Sequence, residues 1–356
     1  MTEFEITTVD IPTKVDPTGS DEFCQATTLR NHVEALIYGT TDTALDAVEE
    51  LALWQPSKFE HYQMLVATVD GRVVGRGDYE TSDGDDADTA WISVNVHPDY
   101  RRRGIGSALL VELESLAQDD GKRQAHTYAP AALGDGPMLA APTGFGSVPR
   151  DNPETQFMLA RGFSFEQVER VSRLPLPVAG LHSLVDNAID RSTRDYALHE
   201  WVNECPERWR EDLAVLYTRM STDAPSAGLE PPEDVWTVDR LHEDEARLIQ
   251  STITTLFAAA EHVATGTLVG FTGLGIPRDS MRAVTQLDTL VRREHRGHKL
   301  GMLLKVANLA HLERFAPGHP SVITYNAEEN RHMLAVNESV GFVPIGHDGV
   351  WKRLLR

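Results

Sequence analysis

The chain has 356 residues, enough for two domains, and its 41% apolar and 24% charged content is that of an ordinary globular protein. Its 54 acidic against 33 basic residues give a formal net charge of -21, which repels a nucleic-acid backbone or an anionic membrane and suits a cationic partner or plain solubility. The acidic start lacks an apolar signal core, no stretch nears the about 20 apolar residues of a membrane helix, Cys24 and Cys205 are too few for a disulfide framework, and the 14 histidines show no metal-ligand spacing, so a cytoplasmic protein without metal is expected.

In chain order, the first clear elements lie between Leu65 and Glu80. Two apolar runs meet there at Asp70-Gly71, a strong hairpin signal. An acidic run at 83–88 reads as a solvated hairpin tip, with ion binding as the minor alternative. Thr89 to Val96 is β-branched and aromatic, a third strand. After a basic, glycine-containing loop, Leu109, Leu113 and Leu116 recur at helical spacing, and Gly121 can cap that helix. A short strand (Gln124 to Tyr128) and a helix ending at Gly162-Phe163 follow.

Two prolines within Leu174 to Leu181 mark a linker. Beyond it the order repeats. Helices are expected near Leu213 to Met220 and Asp239 to Ile249, then a hairpin over Thr255 to Pro277 that turns at Ala264 to Gly266, and a strand from Ala283 to Val291. Leu303, Ala307 and Ala310 share a helical face that ends near Gly318, Ser321 to Tyr325 is a strand, and Gly341-Phe342 closes the next helix. The best-matching segments are Val96 to Gly106 and Val291 to Gly301. The expected fold class is α/β (α+β, mixed sheet), one fold in tandem, with domains at 1–176 and 177–356.

The loop Arg101-Arg102-Arg103-Gly104-Ile105-Gly106-Ser107 joins a strand end to a helix start. Unpaired N–H groups and the positive helix end favour an anion there, glycine permits close approach, and arginines add fork-shaped donors. A tight turn with solvated arginines is the bland alternative. The second loop, Arg296-Gly297-His298-Lys299-Leu300-Gly301, places Lys299 where the first has Gly104. If that position needs positive φ, lysine costs roughly 1 kcal/mol; otherwise its ammonium can meet a phosphate.

Arg-x-x-Gly-x-Gly after a strand ending Val-x-Pro, read at Val96, Pro98, Arg101, Gly104 and Gly106, resembles the coenzyme A pyrophosphate loop of the GNAT superfamily of N-acetyltransferases. The resemblance spans Leu65 to Phe163 and Thr255 to Phe342. The tandem arrangement looks like that of actinobacterial acetyltransferases of the mycothiol synthase type. The resemblance implies acetyl-CoA as cosubstrate, a small-molecule primary amine as acceptor, and a chain acting as monomer or homodimer. It implies a sheet splayed at the strand before each loop, with Val94 to Val96 and Thr289, Leu290 and Val291 beside the thioester, and a backbone N–H ready for its oxyanion.

For acid and base the resemblance fits less well. Asn330, Met333 and Asn337 share a helical spacing; Asn330 falls where relatives touch the coenzyme, and Asn337, like Met158 in the first copy, stands where many carry a proton-donating tyrosine. Capping and surface polarity are the alternative for both asparagines. Asp288 interrupts an otherwise apolar or hydroxyl strand and is the candidate base, against a structural hydrogen bond; Ser93 holds the aligned place. Tyr325, His295 and Glu329 are further candidates. The competing reading is a degenerate acetyl-CoA-binding sensor or scaffold.

Overall fold

The computed structural model describes residues 3–16, 18–82, 88–191, 195–223, 225, 227–229 and 233–355. Of the acidic run at 83–88, only Asp88 falls within these. In chain order the elements are β1 (Glu5–Thr8), α1 (Glu22–Tyr38), α2 (Ala47–Leu53), β2 (Glu60–Val69), β3 (Arg72–Ser82), β4 (Thr89–Val96), α3 (Ile105–Asp119), β5 (Gln124–Ala132), β6 (Met138–Ala140), β7 (Ser147–Pro149), α4 (Pro153–Ala160) and β8 (Ser164–Pro175). Then come α5 (Leu181–Arg191), β9 (Tyr196–Val202), α6 (Arg210–Asp223), α7 (Val238–Gln250), β10 (Thr254–His262), β11 (Thr267–Ile276), β12 (Val284–Val291), α8 (Leu300–Phe315), β13 (Ser321–Ala327), α9 (Arg331–Val340) and β14 (Val343–Leu354).

The chain packs as two compact units. Unit 1 takes Met1–Glu169, Ala227–Glu230 and Ile345–Arg356; unit 2 takes Arg170–Ser226 and Pro231–Pro344. The final strand thus belongs to the first unit from Ile345 onward, while β8 passes into the second at Arg170. The halves 1–176 and 177–356 are a proposal for the sequence repeat. Leu174 and Pro175, expected in a linker, end a strand.

In unit 1 the strand order is β1-β2-β3-β4-β5-β14. The β2–β3 turn has both central residues left-handed, Asp70 at φ 50 and Gly71 at φ 75, the conformation that an Asp-Gly pair favours. β14 runs antiparallel to β5 from Gly346↔Ala132 to Leu354↔Gln124. α3 rests on β3, where a Cβ on Gly75 would stand 2.8 Å from Ile105 Cγ2, so only glycine lets the helix approach so closely. Burying Ile105, Leu109 and Leu113 there contributes roughly 2 kcal/mol each. α1 begins on the Asp21 cap of the Cys24 N–H at 2.6 Å and packs Phe23, Ala26, Leu29 and Val33 on the other side.

In unit 2 the order is β8-β13-β12-β11-β10-β9. α8 buries Leu300, Leu304 and Leu309 on one face, and Leu213 and Leu216 of α6 meet Phe257, Phe271 and Leu290 on the other. No described helix is long and apolar enough to cross a membrane.

Candidate functional site

Each unit opens a cleft where two parallel strands part. β4 and β5 pair only at Thr89↔Gln124, Ala90↔Ala125 and Trp91↔His126. β12 and β13 pair only at Val284↔Val322 and Thr285↔Ile323. Beyond those points the strands have no ladder to each other, so main-chain groups near Val94 to Val96 and Thr289 to Val291 face an open edge.

The unit 1 cleft holds a cavity of about 630 Å3. Val94 and Val96, the helix start at Gly104 to Ser107, Tyr128 to Pro130 and Phe157 of α4 line it. Gly104 caps α3 at φ 92, and the first intrahelical bond is Ala108 N–H to the Gly104 carbonyl. The N–H groups of Ile105, Gly106 and Ser107 therefore have no acceptor within the helix and meet the cavity at the positive helix end. A Cβ on Gly106 would lie 3.3 Å from Val96 and 3.6 Å from Phe157, so glycine lets strand, helix and α4 converge.

The three arginines have different positions. Arg101 donates Nε to the Val96 carbonyl at 3.2 Å and pairs with Glu154 at 2.9 Å. Arg103 donates to the Asp99 carbonyl at 2.7 Å and lies 5.0 Å over the Tyr100 ring. Arg102, at φ 62, is exposed and has no ion pair or hydrogen bond among the described residues. Arg101 and Arg103 hold the loop, and Arg102 remains available to an anion.

The second loop repeats this geometry with altered chemistry. Arg296 donates Nε to the Val291 carbonyl at 3.1 Å and pairs with Asp223 at 2.8 Å. Lys299 caps α8 at φ 60, in the same left-handed region as Gly104. Gly297, at φ 88, precedes His298. A Cβ on Gly301 meets nothing within 4 Å, so this loop is more open than the first. His295 accepts or donates at 3.0 Å to the Tyr196 hydroxyl, and its pKa is lowered by burial and then by His262 and Arg292. His298 lies 5.5 Å from the Tyr196 ring.

Asp288 sits at an irregularity. β11 pairs Thr272↔Thr289 and then Leu274↔Gln286, so Leu287 and Asp288 together oppose Gly273, a β-bulge. In unit 1 the ladder runs unbroken from Gly75↔Val96 to Glu80↔Trp91. Asp288 is exposed, has no hydrogen bond or ion pair among the described residues, and has its pKa raised from the ordinary carboxylate value by partial desolvation. The aligned Ser93 instead donates to Asp78 at 2.8 Å, and Asp78 is held by the buried Arg76 at 2.8 Å.

The two asparagines are engaged. Asn330 is the α9 cap, its side chain accepting the Met333 N–H at 3.3 Å, so it precedes the helix whose face it was expected to share. Asn337 is 2% exposed and donates to Asn326 at 2.6 Å; its Oδ1 has no partner among the described residues. Tyr325 lies two residues past the last β12–β13 pair. Tyr128 lies equally placed past the last β4–β5 pair and lines the cavity, its ring stacked on Trp91 at 4.9 Å. Desolvation of its hydroxyl, and then the carboxylates of Glu169, Asp348 and Glu80, raise its pKa above the ordinary tyrosine value. Sequence reasoning passed over Tyr128, although the paired strands ending in Tyr128 and Tyr325 marked it. It also passed over Glu154 and Phe157, which no local pattern distinguishes.

Residues 34–132 match the acetyltransferase (GNAT) family. An 84-residue stretch, 23% of the chain, is 36% identical to the L-amino acid N-acyltransferase MnaT of Escherichia coli (strain K12), and the chain spans about half (48%) of the length of that relative. A tandem GNAT protein from the clavulanic acid biosynthesis pathway, solved without AcCoA, is similar over 99% of both chains, at 25% identity and a TM-score of 0.77. A GCN5-related N-acetyltransferase from Sphaerobacter thermophilus shares the fold over 99% of this chain and 96% of its own, at 14% identity and a TM-score of 0.61.

Proposed function

We propose, from the match of residues 34–132 to the acetyltransferase (GNAT) family and the likeness to a tandem GNAT protein, that this chain is an N-acetyltransferase that moves the acetyl group of acetyl-CoA to a primary amine of a small molecule. The observation that carries this reading is on β12. One strand presents an open main-chain edge at Thr289 to Val291 and, at the bulge just before it, the unpartnered carboxylate of Asp288.

Phosphates of the coenzyme would meet the N–H groups of the helix starts, with Arg102 beside the first and Lys299 beside the second. Leu290, Val291, Arg296, Gly297, His298, Leu300 and Gly301 would complete the second seat. An alkylammonium of ordinary pKa near 10.4 must lose a proton before its nitrogen attacks. Asp288, with its raised pKa, takes that proton more readily than an ordinary aspartate. The nitrogen attacks the thioester carbon, a free N–H of β12 steadies the oxygen, and the C–S bond breaks. A thiol of pKa about 8.5 leaves as thiolate near neutrality at a cost of about 2 kcal/mol, so a tyrosine in place of Asn337 is dispensable.

Asn337 favours a second reading. Its amide is committed to Asn326 and Met158 holds the aligned place in unit 1, which suits a protein that binds acetyl-CoA as a sensor or scaffold. Free-thiol release from acetyl-CoA over a panel of primary amines separates the two: amine-dependent release supports transfer, and tight coenzyme binding without release supports the sensor.

A further inference from the structure

α6 lies against β11 and β12 on the face that Leu290 shares with Phe271. Tyr217 of α6 projects into this region. Its ring stacks on Trp236 at 4.5 Å and meets Phe271 at 4.9 Å, and Trp236 is backed by the Arg240 guanidinium at 4.3 Å. Phe271 is the ladder partner of Leu290, two residues from Asp288. The phenol is therefore locked by packing, and its hydroxyl has no hydrogen-bond partner among the described residues. After burial, the charge that most raises its pKa is Asp288, ahead of Asp244 and Glu245.

The arginines of the two neighbouring helices are paired. Each arginine of α6 and α7 is held by a carboxylate: Arg210 by Glu245 at 2.8 Å, Arg219 by Glu233 at 3.8 Å, Arg247 by Asp244 at 3.3 Å and Arg240 by Asp234. The carboxylate of Asp288, two residues along β12 from the Leu290 that packs with Tyr217 and Phe271, has no ion pair among the described residues. Such a place attracts an ammonium group and offers nothing to a second carboxylate.

We propose that Tyr217 and Asp288 form the acceptor wall of unit 2, and that it takes a primary ammonium group with no carboxylate on the neighbouring carbon. This rests on the N-acetyltransferase reading and narrows it: the acceptor is an amine rather than an α-amino acid. Tyr217 is a specificity residue, its hydroxyl placed to accept from the ammonium while Asp288 holds the charge.

Phenethylamine and phenylalanine differ only by that carboxylate. Ligand-observed NMR titration of the full chain without acetyl-CoA reads their affinities directly. Phenethylamine is expected to bind at least about tenfold more tightly than phenylalanine, to weaken about tenfold in Asp288→Asn, and to weaken about threefold in Tyr217→Phe. Equal or tighter binding of phenylalanine overturns the proposal, as does amine binding indifferent to both substitutions. Thiol release with acetyl-CoA is read separately. Selective amine binding without release removes the transferase reading and leaves the ammonium site standing, whereas release with both acceptors at equal kcat/KM does the reverse.

Discussion

Arg101 grips the carbonyl of Val96, five residues before it, with its Nε at 3.2 Å. Arg296 repeats the grip on Val291 at 3.1 Å. In each unit an arginine thus ties the loop back to the strand that feeds it, and each is also held by a carboxylate, Glu154 or Asp223.

This division of labour separates the first-loop arginines. Arg102→Ala is expected to weaken coenzyme A binding about tenfold, as the loss of one charge-assisted contact does, with Tm unchanged. Arg101→Ala is expected to lower Tm as well as affinity, because it frees both the Val96 carbonyl and Glu154. Calorimetry for binding and thermal melts for stability check the pair.

Lys299 occupies a left-handed φ of 60. Replacing it with glycine relieves strain that a side chain suffers there and should stabilise the chain by about 0.5 kcal/mol. If its ammonium meets phosphate, the same variant binds coenzyme more weakly at the second loop. Denaturant midpoints and a titration of bound coenzyme read the two effects in opposite directions.

Asp288 is held above the ordinary carboxylate range by desolvation. Between the ordinary and the raised value the folded chain binds more protons there than the unfolded chain, so this group's contribution to stability falls as pH rises through that window. Asp288→Asn should therefore raise Tm at pH 7 and leave it nearly unchanged below the ordinary carboxylate range. A higher Tm with lower activity is the pattern of a functional carboxylate, while a lower Tm marks a structural one.

Lys305 is 1% exposed on α8, near Gln286 Oε1 at 3.3 Å and the Phe342 ring at 5.6 Å. Burial pushes its pKa down to about 7. Between about 7 and the ordinary lysine value near 10.4 the unfolded chain binds the extra proton, so stability rises with pH across that window. Lys305→Met should stabilise the chain by about 2 kcal/mol at pH 6, a gain that shrinks toward pH 10. Urea denaturation at the two pH values tests this.

Local chemistry made much of the fold legible. Asp70-Gly71 specifies a left-handed turn, Thr89 to Val96 is a strand by residue type, and the loop at Gly104 is marked by its glycines and arginines. Asp288 was visible because a carboxylate interrupts a strand, though the bulge that re-aims it depends on the β11 partner. The pairing of β14 with β5 joins residues more than 200 apart, which no local pattern encodes. The small β6–β7 hairpin hides in a glycine- and proline-rich stretch. Asn330 kept the spacing of a helical face but serves as its cap, since a short polar side chain satisfies a free N–H better than it continues a helix. Tyr217 carries no motif, and only packing against Phe271 and Trp236 reveals it.

Acetyl transfer at β12 is tested most directly by thiol release from acetyl-CoA with a primary amine, wild type beside Asp288→Asn. Amine-dependent release that falls about 100-fold or more in the variant is the predicted result. Release that is unchanged in the variant, or absent with every amine while the coenzyme stays tightly bound, contradicts it.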